Sequence, residues 1–484
     1  MTSNAKKENP RAIFFAAAKT GFPFSCASGA FNTYLVEFLR RTGYHVDVFT
    51  GPPDFVPLQC IEIMEQLTPK RRTDIAVYCD LAQWVEPLEL VNAKRQIVFF
   101  HGLAGAPLVW LNRDIDILCG NSRWTRDVLR CIGGFPLWKT KTLLCSDIFR
   151  RTRHVVCPVP ALEYPEGAIS GECLPSKEWE SIAENGAVYG LDFYWEADNS
   201  LHCHIMAAVN QVARQSGDRR QFRLIAPVDK CISVERDITE ARTDRGRRIR
   251  DLLKDIGMTI MELYSPISEK WISQSDLFRL MRRSVFALAF NTIPESFGLM
   301  PLECILNGCV VYTNGSGNIR HLLPAGHGIT VFDTEGISCS ETAEIQRIAR
   351  SIYSSIGNST GLSRAAAEID CGRTLIRSRY SVLAFENSCA ELLNRKQNQT
   401  ITDRDLVLAP GPLVRAWNGE SGTILSDIGT VRLSQEQCAR IRPLFGRSPA
   451  DLFETTDRPD QLLVSELWKK GLLAWDTRPS SFPM

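Results

Sequence analysis

The chain has 484 residues, of which 44% are hydrophobic and 23% are charged. At about 100 to 200 residues per domain, this length predicts two to four domains and excludes a single small binding module. The net charge of +1 provides no overall field to attract nucleic acid or an anionic membrane.

The 16 cysteines are scattered singly along the chain. They contain no C-x-x-C pair, the spacing that zinc ribbons and fingers need, and a disulfide framework suits short secreted chains. The first residues are polar, with no apolar signal-peptide core, and no window approaches the ~20 apolar residues of a membrane span. We therefore expect reduced thiols in a cytoplasmic enzyme that requires no cofactor beyond its substrates.

Short, continuously apolar runs recur along residues 11–160, as expected for strands buried on both faces of a sheet. The runs are 12–18, 46–49, 75–78, 97–100, 115–118 and 155–159. An amphipathic helical segment separates the first two runs and ends before Gly43. Strand and helix alternating in this way predict a parallel, doubly wound sheet.

A second series of the same kind follows a Pro- and Gly-rich linker. Its predicted strands are 186–191, 222–228, 259–264, 285–290, 310–314 and 328–332. Its predicted helices are 201–215, 242–256, 273–283 and 338–356. The predicted fold is α/β, with two tandem Rossmann-like domains over 1–170 and 186–372, a closing helix over 373–394 and a small winged-helix-like module over 405–484.

The most informative stretch spans 291–333 and has the order strand, turn, helix, strand, glycine turn, helix, strand. Glu295 is expected in the first turn and Glu303 inside the helix, which Pro301 can begin at its first position. Gly298, between them, lets backbone amides approach a ligand, and a helix N-terminus favours phosphate. The two carboxylates suit the hydroxyls of a ribose and of a sugar, a combination found in a nucleotide-sugar.

On these residues the chain resembles the retaining glycosyltransferases of the GT-B fold, in the group-1 (family-four-like) superfamily. The Glu-x7-Glu signature is 295–303, followed by Asn307-Gly308 and a glycine turn at 315–318. The resemblance covers roughly 11–394. It implies that Glu303 binds the nucleotide ribose, that Glu295 contacts the donor sugar, and that the amides of Phe297, Gly298 and Leu299 reach the sugar and the phosphates.

The first domain has weaker signals of its own. Ser28 and Gly29 follow the first strand in small-residue surroundings, where the family carries a glycine-rich loop close to the donor. His101 ends a strand at the edge where open α/β sheets bind ligands. By resemblance it contacts the donor sugar, although packing is the alternative. Ser122 is expected to cap a helix.

The family's Gly-Arg and Lys pair, which neutralises the donor diphosphate, is missing from the stretch after the first strand of the second domain. That stretch contains Asp192 and neither base. Lys230, and Lys19 in the first domain, are candidate replacements, because charge-assisted contacts to phosphate are strong.

Three other patterns favour structural roles. Asp114 and Asp116 match a D-x-D metal motif only by letters, at the start of a buried strand. His202 and His204 are two apart on a helix, so they point to different sides and do not suit a metal. The basic run 242–250 is interleaved with acids, as on a solvated helix face, with peripheral contact to a membrane or another polyanion as the alternative.

Residues 405–476 lie outside the glycosyltransferase resemblance. They are similar to RiPP recognition elements, winged-helix modules that hold the leader of a ribosomally made peptide by adding it to a sheet edge. The alternative is a packing or dimerisation module. This segment has no strong basic face, so nucleic acid is not the expected partner.

The sequence thus predicts a retaining glycosyltransferase that moves a hexose-like sugar from a nucleotide-sugar to an acceptor, with a peptide bound through 405–476 as one candidate acceptor. Two alternatives remain: a catalytically impaired scaffold that binds sugar or peptide, and a nucleotide-sugar epimerase of the same fold. The sugar, the base and the acceptor carry no readable code.

Overall fold

The structure is a computed structural model that describes most of the chain. The described residues are 9–16, 27–50, 73–79, 92–101, 115–132, 153–161, 187–193, 199–240, 243–267, 274–332, 342–393, 407–427, 429–448, 451–452 and 456–476. The chain divides into two compact units, one made of Met1–Pro160 with Val382–Met484 and the other of Ala161–Ser381. Among the described residues, no helix combines the length and apolar character needed to cross a bilayer.

The first unit contains a six-stranded sheet in which all neighbouring strands are parallel. Its strands are β1 Arg11–Ala16, β2 His45–Thr50, β3 Ile75–Cys79, β4 Gln96–Phe100, β5 Ile117–Gly120 and β6 Arg153–Val156, and its described helices here are α1 Ala27–Arg41 and α2 Arg123–Ile132. The strand order is β2-β1-β3-β4-β5-β6. Strands β3, β4 and β5 are buried throughout, which explains their uninterrupted apolar sequences.

The second unit contains another six-stranded parallel sheet. Its strands are β7 Val188–Leu191, β8 Phe222–Pro227, β9 Tyr264–Ile267, β10 Phe286–Ala289, β11 Val310–Thr313 and β12 Ile329–Val331. Its described helices are α3 Asn199–Gln215, α4 Val228–Thr239, α5 Asp244–Asp255, α6 Ile260–Leu263, α7 Gln274–Arg283, α8 Leu299–Leu306, α9 Ile319–Leu322, α10 Thr342–Ile356 and α11 Ser359–Arg379. The order β12-β11-β10-β7-β8-β9 reverses direction between β7 and β10. The two doubly wound Rossmann-like sheets confirm the predicted fold class.

Two local differences from the predicted elements have clear causes. The strand predicted over 259–264 begins only at Tyr264, because Thr259 and Glu262 form a capping box that makes 260–263 a helical turn. The backbone N–H of Thr259 donates to Glu262 Oε2 at 2.6 Å. Helix α4, directly after β8, was not predicted.

The closing helix predicted over 373–394 is two helices in the structure. Helix α11 ends at Tyr380, whose backbone N–H donates to Ile376 O at 2.8 Å and whose hydroxyl donates to Leu322 O at 3.2 Å. A new helix, α12, spans Val382–Leu393. The division between the two units falls between Ser381 and Val382, so this helix belongs to the first unit.

Helix α12 packs on α1. The rings of Phe385 and Phe31 meet edge to face with centroids 5.4 Å apart. The Arg41 guanidinium lies 2.6 Å from the Glu386 carboxylate. Residues 382–393 therefore contribute to the core of the first unit, although they lie more than 200 residues after α1 and α2 in sequence.

The first unit also contains the C-terminal module, which we define as residues 407–476. Its elements are β13 Val407–Pro410, β14 Val414–Asn418, β15 Thr423–Ser426, β16 Gly429–Arg432, α13 Gln435–Ile441, α14 Arg458–Lys469 and β17 Leu473–Asp476. Strands β14, β15 and β16 form an antiparallel sheet, and β13 pairs with β17. Ser434 caps α13, and the chain turns at Gly471 into a final strand.

The C-terminal module is held together by its own apolar core and by one buried ion pair. Leu408, Ile424, Ile441, Leu467 and Leu473 are among its buried core side chains. Arg415 Nε donates to Asp427 Oδ1 at 2.8 Å, with the arginine side chain 3% exposed and the aspartate fully buried. The module touches α2 of the same unit, where the Trp124 indole N–H donates to Pro412 O at 3.0 Å.

Candidate functional site

Open α/β sheets bind ligands beyond the carboxyl ends of their strands, at the point where the strand order reverses. In the second unit that point lies between β7 and β10. The chain after β10 carries Glu295, and the chain after β7 carries Asp192. Glu295 and Asp192 therefore lie at the edge of the sheet where the fold favours a ligand.

A pair of asparagines fixes the start of the turn after β10. The backbone N–H of Asn291 donates to Asn314 Oδ1 at 3.2 Å, and Asn314 Nδ2 donates back to Asn291 O at 2.9 Å. Asn291 is fully buried. These contacts tie the ends of β10 and β11 together and set where the turn begins.

Glu295 is held against the glycine turn that follows β11. It forms an isolated parallel bridge with Gly317, and the backbone N–H of Asn318 donates to Glu295 O at 2.8 Å. Asn318 Nδ2 donates to Phe297 O at 2.7 Å. A Cβ at Gly317 would lie 2.3 Å from Glu295 O, so only glycine permits this approach. The two turns that the sequence singled out thus support one another.

Gly298 begins helix α8 in a left-handed conformation, with φ +91°. The next residue, Leu299, is the first of the helix, and Phe297 is buried. The sequence predicted Pro301 as the first helical residue, but it is the third, because Gly298 already supplies the turn into the helix. The first turn of α8 leaves backbone N–H groups directed toward the same edge.

Glu303 lies in the second turn of α8 and is 5% exposed. Burying a carboxylate costs desolvation free energy, so a glutamate this deep is unusual for an ordinary core position. Asn307, one turn further, donates from Nδ2 to Glu303 O at 2.8 Å. Helix α8 thus contains a buried carboxylate at Glu303, and the turn before it carries a half-buried one at Glu295.

Asp192 is the centre of a buried charged cluster at the end of β7. His202 Nδ1 lies 2.7 Å from Asp192 Oδ1, and Lys230 Nζ lies 2.5 Å from the same oxygen. Burial alone would raise the pKa of Asp192, but His202 and Lys230 outweigh it and lower the pKa to about 2. The predicted phosphate base Lys230 therefore already pairs with a carboxylate, and its contact with a ligand remains a prediction.

In the first unit, His101 follows β4 and is 8% exposed. Its carbonyl accepts a hydrogen bond from Asn121 Nδ2 at 2.8 Å, and its ring lies 4.5 Å, centroid to centroid, from that of Phe31. Ser122 Oγ accepts from the Thr125 backbone N–H at 3.0 Å, in agreement with the predicted cap of α2. The position of His101 is thus fixed by aromatic packing and by one amide.

The small residues predicted to pass close to a donor are in the first turn of α1. Gly29 is buried and Ser28 is half-buried, and Gly29 O accepts from Thr33 Oγ1 at 2.8 Å. Lys19 and the chain between β1 and α1 lie outside the described residues. Ser28 and Gly29 thus lie at the start of the first helix, and their approach to a donor stays a prediction.

No group of three or more His, Cys, Asp or Glu side chains in the described ranges could hold a metal ion. Asp116 Oδ2 instead accepts the Gln96 backbone N–H at 2.7 Å, and Asp114 lies outside those ranges. His202 and His204 have separate surroundings, as predicted. Burial, with Arg245 and Arg248, lowers the pKa of His204 to about 4.

Sequence reasoning missed Asp192 and His202 as parts of this edge. The available signal was the aspartate itself, because it follows the first strand of the second unit, where the resembled family has bases. The spacing of His202 and His204 argues against a metal site and indicates no role for His202 at this edge. Its partners, Asp192 and the Phe290 backbone, are 10 and 88 residues away, which no local spacing reveals.

Comparisons with solved structures agree on the architecture. The fold is similar to that of a trehalose-6-phosphate protein from E. coli bound with UDP-2-fluoro glucose, at 11% identity, covering 80% of this chain and 100% of that one with a TM-score of 0.52. It is also similar to a UDP-forming trehalose-phosphate synthase from Burkholderia xenovorans, at 12% identity, 80% and 99% coverage and a TM-score of 0.51. A glycosyltransferase from Rickettsia africae gives 11% identity, 80% and 100% coverage and a TM-score of 0.51.

No protein-family model matches the chain, and a search of curated proteins gives no significant match. At these identities the structural similarities establish the fold, which is the GT-B arrangement of two Rossmann-like domains.

Proposed function

We propose that the protein is a glycosyltransferase that takes its sugar from a nucleotide-sugar donor held by the second unit. The observation that carries the proposal is the pairing of the Glu295 turn with the Gly317 turn beside the N-terminus of α8, at the switch point of the sheet. Two carboxylates for hydroxyl groups and a helix N-terminus for phosphate meet the chemical needs of a nucleotide-sugar.

The proposed roles follow the resemblance to retaining GT-B enzymes. Glu303 binds the ribose, Glu295 binds hydroxyls of the donor sugar, and the amides of 297–299 reach the sugar and the phosphates. By the same resemblance, His101 orients the donor sugar, and Ser28 and Gly29 belong to a loop that passes close to the donor. The fold similarity to UDP-sugar-binding and UDP-forming proteins supports this class of donor.

The proposed reaction retains the anomeric configuration. The acceptor attacks the anomeric carbon on the face from which the phosphate departs, the glycosidic bond to phosphate breaks, and the departing phosphate oxygen takes the acceptor proton. No dedicated protein base is needed in this scheme. The protein contributes positioning, and amide dipoles at the start of α8 stabilise the charge that develops on phosphate.

Lys230 is the proposed positive charge that neutralises the diphosphate, in place of the family's Arg and Lys. It lies in the first turn of α4, its side chain is 11% exposed, and Asp192 holds its ammonium group at the same sheet edge. An ammonium fixed in this way loses little side-chain freedom when it meets phosphate.

A peptide acceptor bound through residues 405–476 is the finer part of the proposal. Within the described residues, β16 is an edge strand of its three-stranded sheet, with β15 as its neighbour on one side. Such an edge can accept an added strand. The resemblance to RiPP recognition elements and this open edge together support a leader peptide as the partner.

The missing Arg and Lys favour one other candidate, a scaffold that binds the sugar nucleotide without transferring it. Incubation with radiolabelled UDP-glucose and analysis of the products separates the candidates. Sugar transferred to an acceptor or to water supports the transferase, epimerised sugar nucleotide supports an epimerase, and unchanged nucleotide that stays bound supports the scaffold.

The donor site itself is tested by thermal shift with UDP, GDP and ADP. We expect one of these to raise the melting temperature of the wild type, and the Glu303→Ala variant to lose that increase. A full increase in Glu303→Ala would remove Glu303 from the donor site.

A further inference from the structure

A continuous chain of hydrogen bonds crosses the base of the candidate donor site. Lys230 Nζ donates to Asp192 Oδ1 at 2.5 Å, His202 Nδ1 bonds the same oxygen at 2.7 Å, and the backbone N–H of Phe290 bonds His202 Nε2 at 3.0 Å. Asp192 and His202 are fully buried. The chain of bonds links the ends of β7 and β10 with the first turns of α3 and α4.

These partners determine which nitrogen of His202 carries the proton. A backbone N–H can only donate, so Nε2 must accept the hydrogen from Phe290 and cannot carry one of its own. The hydrogen then lies on Nδ1, where it is donated to the Asp192 carboxylate. The anionic state of Asp192, with its pKa lowered to about 2, favours this tautomer.

The bond to Phe290 is made where the donor turn begins. Phe290 directly precedes Asn291, whose backbone is held by Asn314, and four residues later Glu295 pairs with Gly317. We call residues 290–298 the donor loop. His202 fixes its first backbone amide, and the glycine turn fixes its middle, so the loop is held at two separate points.

A purely structural reason for this cluster is weak. Burying an aspartate and a lysine gains little or no stability over apolar residues of similar size, because the desolvation cost offsets the attraction. The ion pair does, however, fix one imidazole tautomer against one backbone amide. The gain is a defined position for the loop that carries Glu295.

We propose that Asp192 and His202 are positioning residues for the donor, which they affect through the donor loop. This inference rests on the proposed function of that loop. Asp192 selects the tautomer of His202, His202 anchors Phe290, and the anchored loop presents Glu295 and the start of α8 to the sugar nucleotide.

Two substitutions separate the two bonds of His202. His202→Gln can place its carbonyl oxygen near the position of Nε2 and keep an acceptor for Phe290. His202→Asn can keep an amide donor for Asp192 but is too short to reach Phe290. The nucleotide used is whichever of UDP, GDP and ADP raises the wild-type melting temperature most. Calorimetry measures its affinity for the wild type and both variants, and urea unfolding measures the stability of both variants.

We expect His202→Asn to bind that nucleotide at least tenfold more weakly than the wild type, and His202→Gln to stay within about threefold. A tenfold loss corresponds to 1.4 kcal/mol, the scale of one buried hydrogen bond. Comparable unfolding midpoints for the two variants would attribute the difference to the loop. Equal nucleotide affinity in His202→Asn and the wild type would overturn the proposal.

A second measurement does not depend on any ligand. In the full-length protein labelled with 15N-histidine, NMR distinguishes a ring protonated on Nδ1 from one protonated on Nε2, and His202 is assigned by its loss in His202→Gln. We expect the Nδ1 form in the wild type and a change of tautomer or of its population in Asp192→Asn. Protonation of His202 on Nε2 would overturn the proposal.

The two measurements distinguish a failure of the positioning proposal from a failure of the proposed function. If none of the three nucleotides binds the wild type and labelled UDP-glucose is unchanged and unbound, the proposed function fails, and the donor-positioning role fails with it. In another outcome, the wild type binds a nucleotide while His202 lacks the Nδ1 tautomer, or while His202→Asn and His202→Gln bind that nucleotide equally well. In either case only the positioning role fails.

Discussion

Two aspartates, one in each unit, are fully buried beside a cation. In the second unit, Asp192 lies against Lys230 at the carboxyl edge of the parallel sheet and also holds His202. In the C-terminal module, Asp427 lies against Arg415 between strands of a small antiparallel sheet. Similar charges are buried to a similar degree, but their neighbours differ.

The difference lies in what each carboxylate controls. A further contact of Asp427 stays within the same small sheet, since its backbone N–H donates to Leu413 O at 2.9 Å beside the paired Val414 and Ser426. Asp192 reaches through His202 to Phe290, just past the end of β10 and 88 residues beyond that histidine. A buried ion pair is therefore weak support for function by itself, and the elements that it connects are the better guide.

The strongest test of this contrast removes each carboxylate charge in turn. Asp192→Asn and Asp427→Asn should both destabilise the protein by about 3 to 5 kcal/mol, because each leaves a buried cation without its counter-charge. Only Asp192→Asn should also weaken nucleotide binding. Urea unfolding measures the stability and calorimetry measures the nucleotide affinity. A loss of nucleotide affinity in Asp427→Asn would contradict the difference drawn between the two aspartates.

The second largest expected effect is a loss of stability at acid pH, when Asp192 becomes protonated. Its pKa is about 2 in the folded protein, below the ~3.9 expected of an unfolded aspartate. The stabilisation is therefore complete above pH ~4 and is lost as the pH falls from ~4 toward ~2, by about 2.5 kcal/mol in total. The stability gap between the wild type and Asp192→Asn, followed by urea unfolding over this range, should narrow. A constant gap would contradict the assignment.

A glycine pair tests the second anchor of the donor loop. Gly317 and Gly217 both have positive φ, +68° and +76°, but a Cβ meets Glu295 O at 2.3 Å at the first position and nothing within 4 Å at the second. Gly217→Ala should cost about 1 kcal/mol through backbone strain alone. Gly317→Ala should cost more and should lower nucleotide affinity. Equal behaviour of the two variants in unfolding and binding would show that the Glu295 approach is unimportant.

The smallest expected effect concerns the C-terminal module. Ser434 caps α13 through the N–H of Gln437 at 3.1 Å, so Ser434→Ala should cost about 1 kcal/mol. Ser421→Ala, at an exposed turn of the same module, is the control and should change stability by less than about 0.5 kcal/mol. Neither should alter nucleotide affinity, and a change in the first would show that the module affects the donor site.

The parts of the site that sequence could predict are those with local causes. Gly298 was identified from its place between two carboxylates before a helix, and a left-handed turn is what that place requires. The apolar runs identified the strands because both faces of a parallel sheet are buried. Each of these features depends on residues within one turn or one strand.

The remaining parts depend on which strands become neighbours. Asp192 and Phe290 meet at His202 only because β7 pairs with β10, a consequence of the whole sheet order. The break at Tyr380 likewise depends on the carbonyl of Leu322, 58 residues earlier. A helical pattern continued across 373–394 in the sequence, and a tertiary contact ended it.

That break also determines when each unit can fold. The second unit is continuous, from Ala161 to Ser381, whereas the first needs both Met1–Pro160 and Val382–Met484. Since domains generally fold as units while the chain is synthesised from its N-terminus, the second unit can close before the first has received Phe385 against Phe31. The first unit has contacts between segments that are distant in sequence, so we expect it to fold more slowly than the second unit. The first unit, although its sheet is synthesised first, is therefore completed last.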